Sequence, residues 1–287
     1  MKKHLLAIVV CLVTFSAVSQ ETPTIKWWNP AEHAFPVIEG QAWAGETKAP
    51  YDRLPARAEG KVPPAVWNLS QHSAGLMVRF RSNSSQIVVR YISKPKGEGN
   101  NYGMDHMPAT GVSGVDLYAI TNDGQEIWCA AKRNFGDTIT YRYEGLRPND
   151  QFHELGREYR LYLPLYNSVS WLEVGVETSA HFKPLPVRKE KPIVVYGTSI
   201  AHGACASRPG MAWTSILGRK MDRPLINLAF SGNGRLDSSV VDFVNEIDAK
   251  VFVLDCLPNL IPGTWERLGI NGEQGLKNRV LTSVRAL

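Results

Sequence analysis

The sequence predicts an all-β unit followed by an α/β unit with a parallel sheet, and three observations carry that expectation. From Ala65 to Val176, short apolar segments recur at close spacing with no convincing helical period between them. After Pro192, nearly continuous apolar runs alternate with stretches of helical period. Between the two, Pro184, Pro186 and Pro192 interleave with Lys183, Arg188, Lys189 and Lys191, an extended charged connector. The expected division is a β-sandwich or jelly roll over residues 20–182, a linker over 183–192 and an α/β unit over 193–287.

Residues 1–19 stand apart. Lys2, Lys3 and His4 form a basic start, Leu5 to Val18 is almost wholly apolar, and Ala17-Val18-Ser19 is a small-x-small cleavage signal. That is the pattern of a secretory signal peptide, and its apolar run is shorter than the about 20 residues a membrane span needs. No second long apolar segment follows, so the expectation is an exported, soluble protein, secreted or periplasmic, with no membrane attachment after cleavage.

The formal charge of +5 includes Lys2 and Lys3 of the leader, and the other charges are scattered. There is no Lys/Arg stripe with interleaved aromatics, so nucleic acid is not an expected partner. Beyond the leader only Cys129, Cys205 and Cys256 remain, an odd and widely spaced set that makes no disulfide framework. No CxxC or HExxH pattern exists, and no metal or other cofactor is expected.

In the first unit, residues 20–65 are irregular and rich in Pro and Trp. Trp27, Trp28 and Trp43 read as anchors onto a sheet surface, with a sugar-stacking platform as the alternative. Ala65–Leu69 begins a β-type pattern, followed by strands at Gly75–Phe80 and Gln86–Ile92 across a serine-rich turn that suggests a hairpin. Val115–Ile120 and Gln125–Ala131 flank the tight turn Asn122-Asp123-Gly124, and Arg157–Leu163 and Ser170–Val176 add two more strands. Lys94 to Ser113 is a long polar loop whose His106 is either a cleft residue or a surface histidine.

In the second unit, Ile193–Tyr196 is a short buried strand closed by Gly197, Thr198 and Ser199. Met211–Met221 reads as a helix with Trp213, Ile216 and Leu217 on one face. Pro224–Phe230 is a second strand, ending in the glycine-rich turn Ser231-Gly232-Asn233-Gly234. Leu236–Ile247 is helical, Lys250–Asp255 is a third strand leading to Pro258-Asn259, and Asn271–Leu287 is a last helix. Right-handed parallel βαβ crossovers bring the three strand ends to one edge, where open α/β sheets place their chemistry. Ser199, Gly232 and Asn259 meet there. A serine so placed is either a turn and N-cap residue or a nucleophile. The Ser199 and Gly232 N–H groups and the Asn259 amide would donate to one oxyanion, with glycine at 232 permitting close backbone approach.

These blocks resemble the SGNH/GDSL hydrolases: Gly197-Thr198-Ser199-Ile200, Ser231-Gly232-Asn233-Gly234 and Pro258-Asn259. Upstream, Gly114-Val115-Asp116-Leu117-Tyr118 resembles the Gly-x-Asp-Leu-Tyr signature of a β-domain found before one branch of that family. The resemblance implies a flavodoxin-like α/β/α second unit, Ser199 as nucleophile, Gly232 and Asn259 as oxyanion donors, and esterase or acylhydrolase activity. The expected substrate is a small-molecule or polysaccharide ester, with acetyl groups on carbohydrate as the favoured case.

Thr198 stands where the family's name has Asp, and the family's Asp-x-x-His block has no counterpart here. The expectation is therefore a chain cut short relative to the family, with its base on a histidine beyond residue 287. Within the chain, His202 is the first substitute to consider, ahead of His106 and His181. Arg208 would anchor substrate or form a structural ion pair, and Asp255 would orient a base or cap a turn. Cys205 and Cys256 read as small packing residues. A different class stays open: a non-catalytic carbohydrate-binding protein with an inert hydrolase unit.

Overall fold

The computed structural model describes residues 24–95, 101–121, 123–147 and 155–287. The leader, Asn122 of the tight turn and residues 96–100 of the long polar loop lie outside them. In chain order the first half contains β1 (Ile25–Trp28), β2 (Ile38–Glu39), α1 (Pro64–Ser70), β3 (Met77–Ser82), β4 (Ile87–Ile92), α2 (Ala109–Val112) and β5 (Asp116–Ile120). It continues through β6 (Glu126–Cys129), β7 (Lys132–Asn134), β8 (Ile139–Tyr143), β9 (Arg157–Tyr162), β10 (Trp171–Glu177) and β11 (Phe182–Pro184). The second half contains β12 (Ile193–Gly197), α3 (Ser199–His202), α4 (Trp213–Lys220), β13 (Leu225–Ala229), α5 (Ser238–Asn245), β14 (Val251–Asp255), α6 (Pro262–Trp265) and α7 (Gly272–Ala286).

The first half is a sandwich of two antiparallel sheets, ordered β1-β10-β4-β8-β7 and β11-β3-β9-β5-β6 with β2 on β3. Alternate residues of both sheets point inward and make one core. Phe80, Leu117, Tyr159 and Leu161 from one sheet meet Val89, Tyr91, Ile139 and Val174 from the other. The tight turn at Asp123-Gly124 closes a true β5–β6 hairpin.

Three expectations change. Ala65–Leu69 is helical, not extended. Pro64 occupies the first helical position, where a missing N–H is harmless, and Val66 and Ser70 bury the same side one turn apart. The serine-rich segment after β3 is not a hairpin, because β3 and β4 belong to different sheets. Its serines replace ladder bonds with side-chain ones: Ser84 Oγ donates to Gln86 O at 2.6 Å and Ser85 Oγ to Glu177 Oε1 at 2.8 Å. The connector is extended, as its prolines imply, but docked rather than free. β11 pairs with β3, Leu185 N–H reaches Arg79 O at 2.9 Å, and Arg188 grips Glu39.

The second half is a three-layer α/β/α unit. Its parallel sheet has the order β13-β12-β14, in register so that Gly197 faces Ala229 on one side and Asp255 on the other. Val194, Tyr196, Ile226 and Leu228 face α5, α7 and an N-terminal cover formed by Trp43, Leu54, Val62, Val66 and Trp67. Trp43 thus anchors its segment to the α/β unit, with its Nε1 on Glu246 at 2.8 Å, whereas Trp27 and Trp28 lie in an edge strand of the sandwich. The opposite face, Ile193, Val195, Leu225 and Ala229, packs on α3 and α4. On α4, Trp213 and Leu217 of the expected apolar face pack half-buried on that cluster, while the most buried residues are Thr214, Ser215 and Gly218, where Asn227 projects from the sheet. Its Nδ2 donates to Thr214 Oγ1 at 3.2 Å and to Ala201 O at 2.8 Å.

Two buried charges join the halves. Arg53, 1% exposed, lies along the outer edge of β13 and donates to the Asn227 and Ala229 carbonyls, both at 2.9 Å. The same guanidinium bonds His72 O at 2.7 Å and Leu69 O at 2.6 Å. Four carbonyls of two segments are satisfied by one planar fork, and burial pulls the Arg53 pKa down only to about 9. Asp116, 3% exposed, receives Trp128 Nε1–H at 2.7 Å and Gly210 N–H at 3.0 Å, and pairs with Arg208 Nε at 3.2 Å. It holds the loop between α3 and α4 against the sandwich, where Gly210 packs so closely on Tyr118 that a Cβ would lie 2.3 Å from its ring. Burial pushes the Asp116 carboxyl up to about 6 despite Trp128, Arg208 and Gly210.

Replacing Arg53 by Met leaves buried carbonyls on two segments unpaired and is expected to destabilise the fold by about 3 kcal/mol. Lys does not restore it, since an ammonium cannot span the same acceptors. Urea unfolding checks this, and a loss under about 1 kcal/mol would show that water replaces the guanidinium. The folded-state value of Asp116 lies above its ordinary one, so the native state holds that proton more tightly than the unfolded chain does. The stability this lends is full below about pH 4 and is lost as pH rises through about 6. Relative to Asp116→Asn, the wild type should lose roughly 2 kcal/mol between about pH 4 and pH 7. A flat difference across that window would contradict the burial argument.

Candidate active site

The site is built at the end of β12. Gly197 O accepts Phe230 N–H at 2.9 Å, and Thr198 N–H donates to Asp255 O at 3.0 Å. The strand end is therefore pinned from both sides before it turns. Thr198 is the N-cap of α3, extended in backbone, with its hydroxyl toward Ile200 N–H at 3.4 Å. Ser199 follows as the first helical residue, half-buried, beside the exposed Ile200. A side chain at this strand-to-helix turn stands at the open edge of the sheet.

The second turn follows β13. Asn233 N–H closes it on Phe230 O at 2.8 Å, and Asn233 Nδ2 bonds Ser231 O at 2.8 Å. The turn contains two glycines for different reasons. Gly234 makes the close approach: a Cβ there would lie 2.3 Å from Gly197 O and 2.8 Å from Thr198 N. Gly232 has open space where its Cβ would be, and its φ of +69° is the left-handed region that favours glycine. The expected close approach thus belongs to Gly234, and Gly232 supplies the turn its backbone conformation.

The third contribution is Asn259, half-buried at the end of the Leu257–Asn259 turn after β14. Its Oδ1 accepts Gly234 N–H at 3.1 Å, which fixes the amide and leaves Nδ2 as the donor end. Asp255 presents its backbone to Thr198, and burial raises its carboxyl pKa, opposed by a hydrogen bond with the Thr198 side chain. Its observed partner is therefore the N-cap. Among the described residues, no hydrogen bond uses the backbone N–H of Ser199 or Gly232 or the Nδ2 of Asn259.

The remaining sequence candidates take other places. His202 is fully buried behind the turns, and its Nδ1 accepts Ser231 N–H at 3.3 Å. Arg208 is bound to Asp116 and lies over the Trp128 ring. His106 and His181 are exposed on loops of the sandwich. Cys256 is buried with its Sγ toward Tyr196 O at 3.6 Å, and burial pushes its thiol up to about 12; Cys205 is exposed. Sequence reasoning missed Tyr166, from the loop after β9, whose hydroxyl donates to Ser199 O at 3.2 Å. No local pattern marks it, since its partner lies in the other half of the fold.

Residues 25–182 match the GxDLY domain found at the N-terminus of SGNH-hydrolase-type esterases, and residues 190–287 match the GDSL-like lipase/acylhydrolase family. Among solved structures, a protein described as a GDSL-like lipase from Bacteroides ovatus is 30% identical, with a TM-score of 0.76 over 92% of this chain and 70% of that one. A salicylyl-acyltransferase from a tetracycline biosynthetic pathway shares the fold at 20% identity and a TM-score of 0.65, over 91% of this chain and 68% of that one. No curated protein matches by sequence. With both halves matched in order, the chain belongs to the SGNH/GDSL hydrolase family of esterases and acylhydrolases.

Proposed function

We propose that the chain is an exported serine esterase that removes small acyl groups, acetyl above all, from carbohydrate, with Ser199 as nucleophile. The observation that carries this reading is the donor set. The N–H groups of Ser199 and Gly232 and the Nδ2 of Asn259 are unused within the described residues, on three turns tied together by the Gly197–Phe230 and Gly234–Asn259 bonds. Ser199 Oγ attacks the ester carbonyl and passes its proton to a general base. The carbonyl oxygen becomes an oxyanion held by those donors; its collapse breaks the bond to the sugar oxygen, which leaves as a hydroxyl by taking the proton back from the base, and water then hydrolyses the acyl-serine. The leader supports export. Partly exposed Trp27 and Trp171, whose ring centroids lie 3.8 and 5.4 Å from the Arg90 guanidinium, offer an aromatic surface of the kind sugar rings stack on.

One observation favours a second reading, carbohydrate binding without catalysis. His202, the histidine nearest Ser199 in sequence, is buried and uses its Nδ1 on the second turn. In the serine-protease template an oxyanion hole and binding alone retain about 10³–10⁴-fold catalysis over water, so the two readings differ measurably.

A fluorophosphonate probe is expected to label the wild type and not Ser199→Ala; equal labelling of both removes Ser199 from the mechanism. In p-nitrophenyl acetate hydrolysis, Asn259→Ala should lower kcat by about 10²–10³ with KM nearly unchanged, as for loss of one oxyanion donor. Retention of an unacylated oligosaccharide with no measurable hydrolysis of its acetylated form would favour the binding reading.

A further inference from the structure

We infer that the sandwich half contributes a positioning element to the active site: Tyr166, stacked on His202, ties the nucleophile turn to the oxyanion turn and sets their spacing. This rests on the reading of Ser199 as nucleophile and Gly232 as oxyanion donor.

The two rings act through different bonds. The Tyr166 hydroxyl donates to Ser199 O at 3.2 Å. The phenol thus touches the residue that carries the nucleophile, and the His202 ring stacked on it holds the residue preceding the second donor. The His202 ring lies parallel to the Tyr166 ring, 4.2 Å between centroids and 16° between planes. Accepting Ser231 N–H leaves Nδ1 without a proton of its own, so the ring acts there as an acceptor. His72 flanks both rings, 5.5 Å from His202 and 6.1 Å from Tyr166, and its carbonyl is held by Arg53.

Burial gives these contacts their weight. Tyr166 is 5% exposed and His202 is fully buried, while their partners Ser199 and Ser231 are half-buried, so each bond is shielded from water on its ring side. The turn they brace is short and carries a left-handed glycine, and its other described ties run to Phe230, Gly197 and Asn259. Displacing Ser231 would therefore move the Gly232 N–H relative to Ser199 Oγ. An oxyanion hole depends on such preorganisation, because donors that must reorganise during the reaction lose their advantage.

The discriminating variants are Tyr166→Phe, which keeps the ring and removes the hydroxyl, His202→Leu, which removes the acceptor, and His202→Asn, whose Oδ1 can stand where Nδ1 does. The second-order rate of fluorophosphonate labelling should fall about tenfold in Tyr166→Phe and more in His202→Leu, with His202→Asn restoring most of it. In p-nitrophenyl acetate hydrolysis the loss should appear in kcat with KM nearly unchanged, a split that general destabilisation does not produce. Amide hydrogen exchange of the peptide spanning 231–234 should accelerate in Tyr166→Phe and His202→Leu and return toward wild type in His202→Asn. Wild-type exchange in both disruptive variants overturns the inference, as does equal behaviour of His202→Asn and His202→Leu. If the wild type itself fails to label while exchange follows the expected order, the nucleophile reading fails and the positioning element stands.

Discussion

The geometry of this protein depends on how the backbone at Gly197 and Thr198 is held. β12 is the central strand of a parallel sheet, so its last carbonyl and next N–H are claimed from opposite sides, by Phe230 after β13 and by Asp255 at the end of β14. That double claim brings three strand ends flush, and the turns leaving them meet within the width of the sheet. Gly234 then closes the gap, packing its Cα on the Gly197 carbonyl where any side chain would collide. Asn259 locks the arrangement by accepting the Gly234 N–H. Each bond is ordinary in strength. Together they leave little freedom for Ser199, Gly232 and Asn259 to separate, which is what a preorganised site requires.

The sandwich is part of this arrangement rather than an appendage to it. Asp116 lies in the stretch that matches the Gly-x-Asp-Leu-Tyr signature, and its role in the structure is to dock the loop that follows α3. That loop packs on the sandwich backbone so tightly that a Cβ at Gly111 would lie 2.1 Å from Ala206 O. Thr110 Oγ1 adds a bond to Ser207 O at 2.6 Å. The loop is polar and glycine-containing, and what orders it is the surface it lies on.

Much of this was legible in the sequence, and the failures have physical causes. The three strands of the parallel sheet are continuous apolar runs bounded by Pro, Gly or polar turns, a pattern with few competing explanations. Ser199, Gly232 and Asn259 could be placed at one edge because parallel connectivity leaves no other arrangement. Ala65–Leu69 reads as a strand because five residues contain too little periodicity to separate helix from strand, although Pro63-Pro64 marks a helix start. The link from β3 to β4 was read as a hairpin because a turn and an arch between sheets have the same local composition; the partner strand decides between them. Tyr166 and the docking role of Asp116 were out of reach for a stronger reason. Their partners are distant in sequence, and nothing in the tripeptide around either residue encodes which surface it will meet.

Magnitudes decide what joins the two halves. Ion pairs cross the joint: Arg188 with Asp222 at 3.0 Å, Arg160 with Asp222 at 3.1 Å, and Arg219 with Glu126 at 3.0 Å. The pairs on Asp222, which is 77% exposed, contribute about 1 kcal/mol or less each, and the attraction within the largely buried Arg219–Glu126 pair is offset by desolvation. Against this, Trp43, Leu54, Val62, Val66 and Trp67 bury their side chains in the α/β core. At about 1.5–3 kcal/mol each, the five together contribute on the order of 10 kcal/mol as an upper estimate. Apolar burial therefore does the joining, and the charges set its register. The covering residues lie between β2 and β3 of the sandwich, while the strands they cover follow it. Most of the sandwich, from β3 to β11, is in effect a long insertion between an α/β unit and its own cover. Cutting the chain after the sandwich would strip from the sheet the part of one wall that α5 and α7 do not cover, and leave the outer edge of β13 without Arg53, so the α/β half is not an independent piece of this fold.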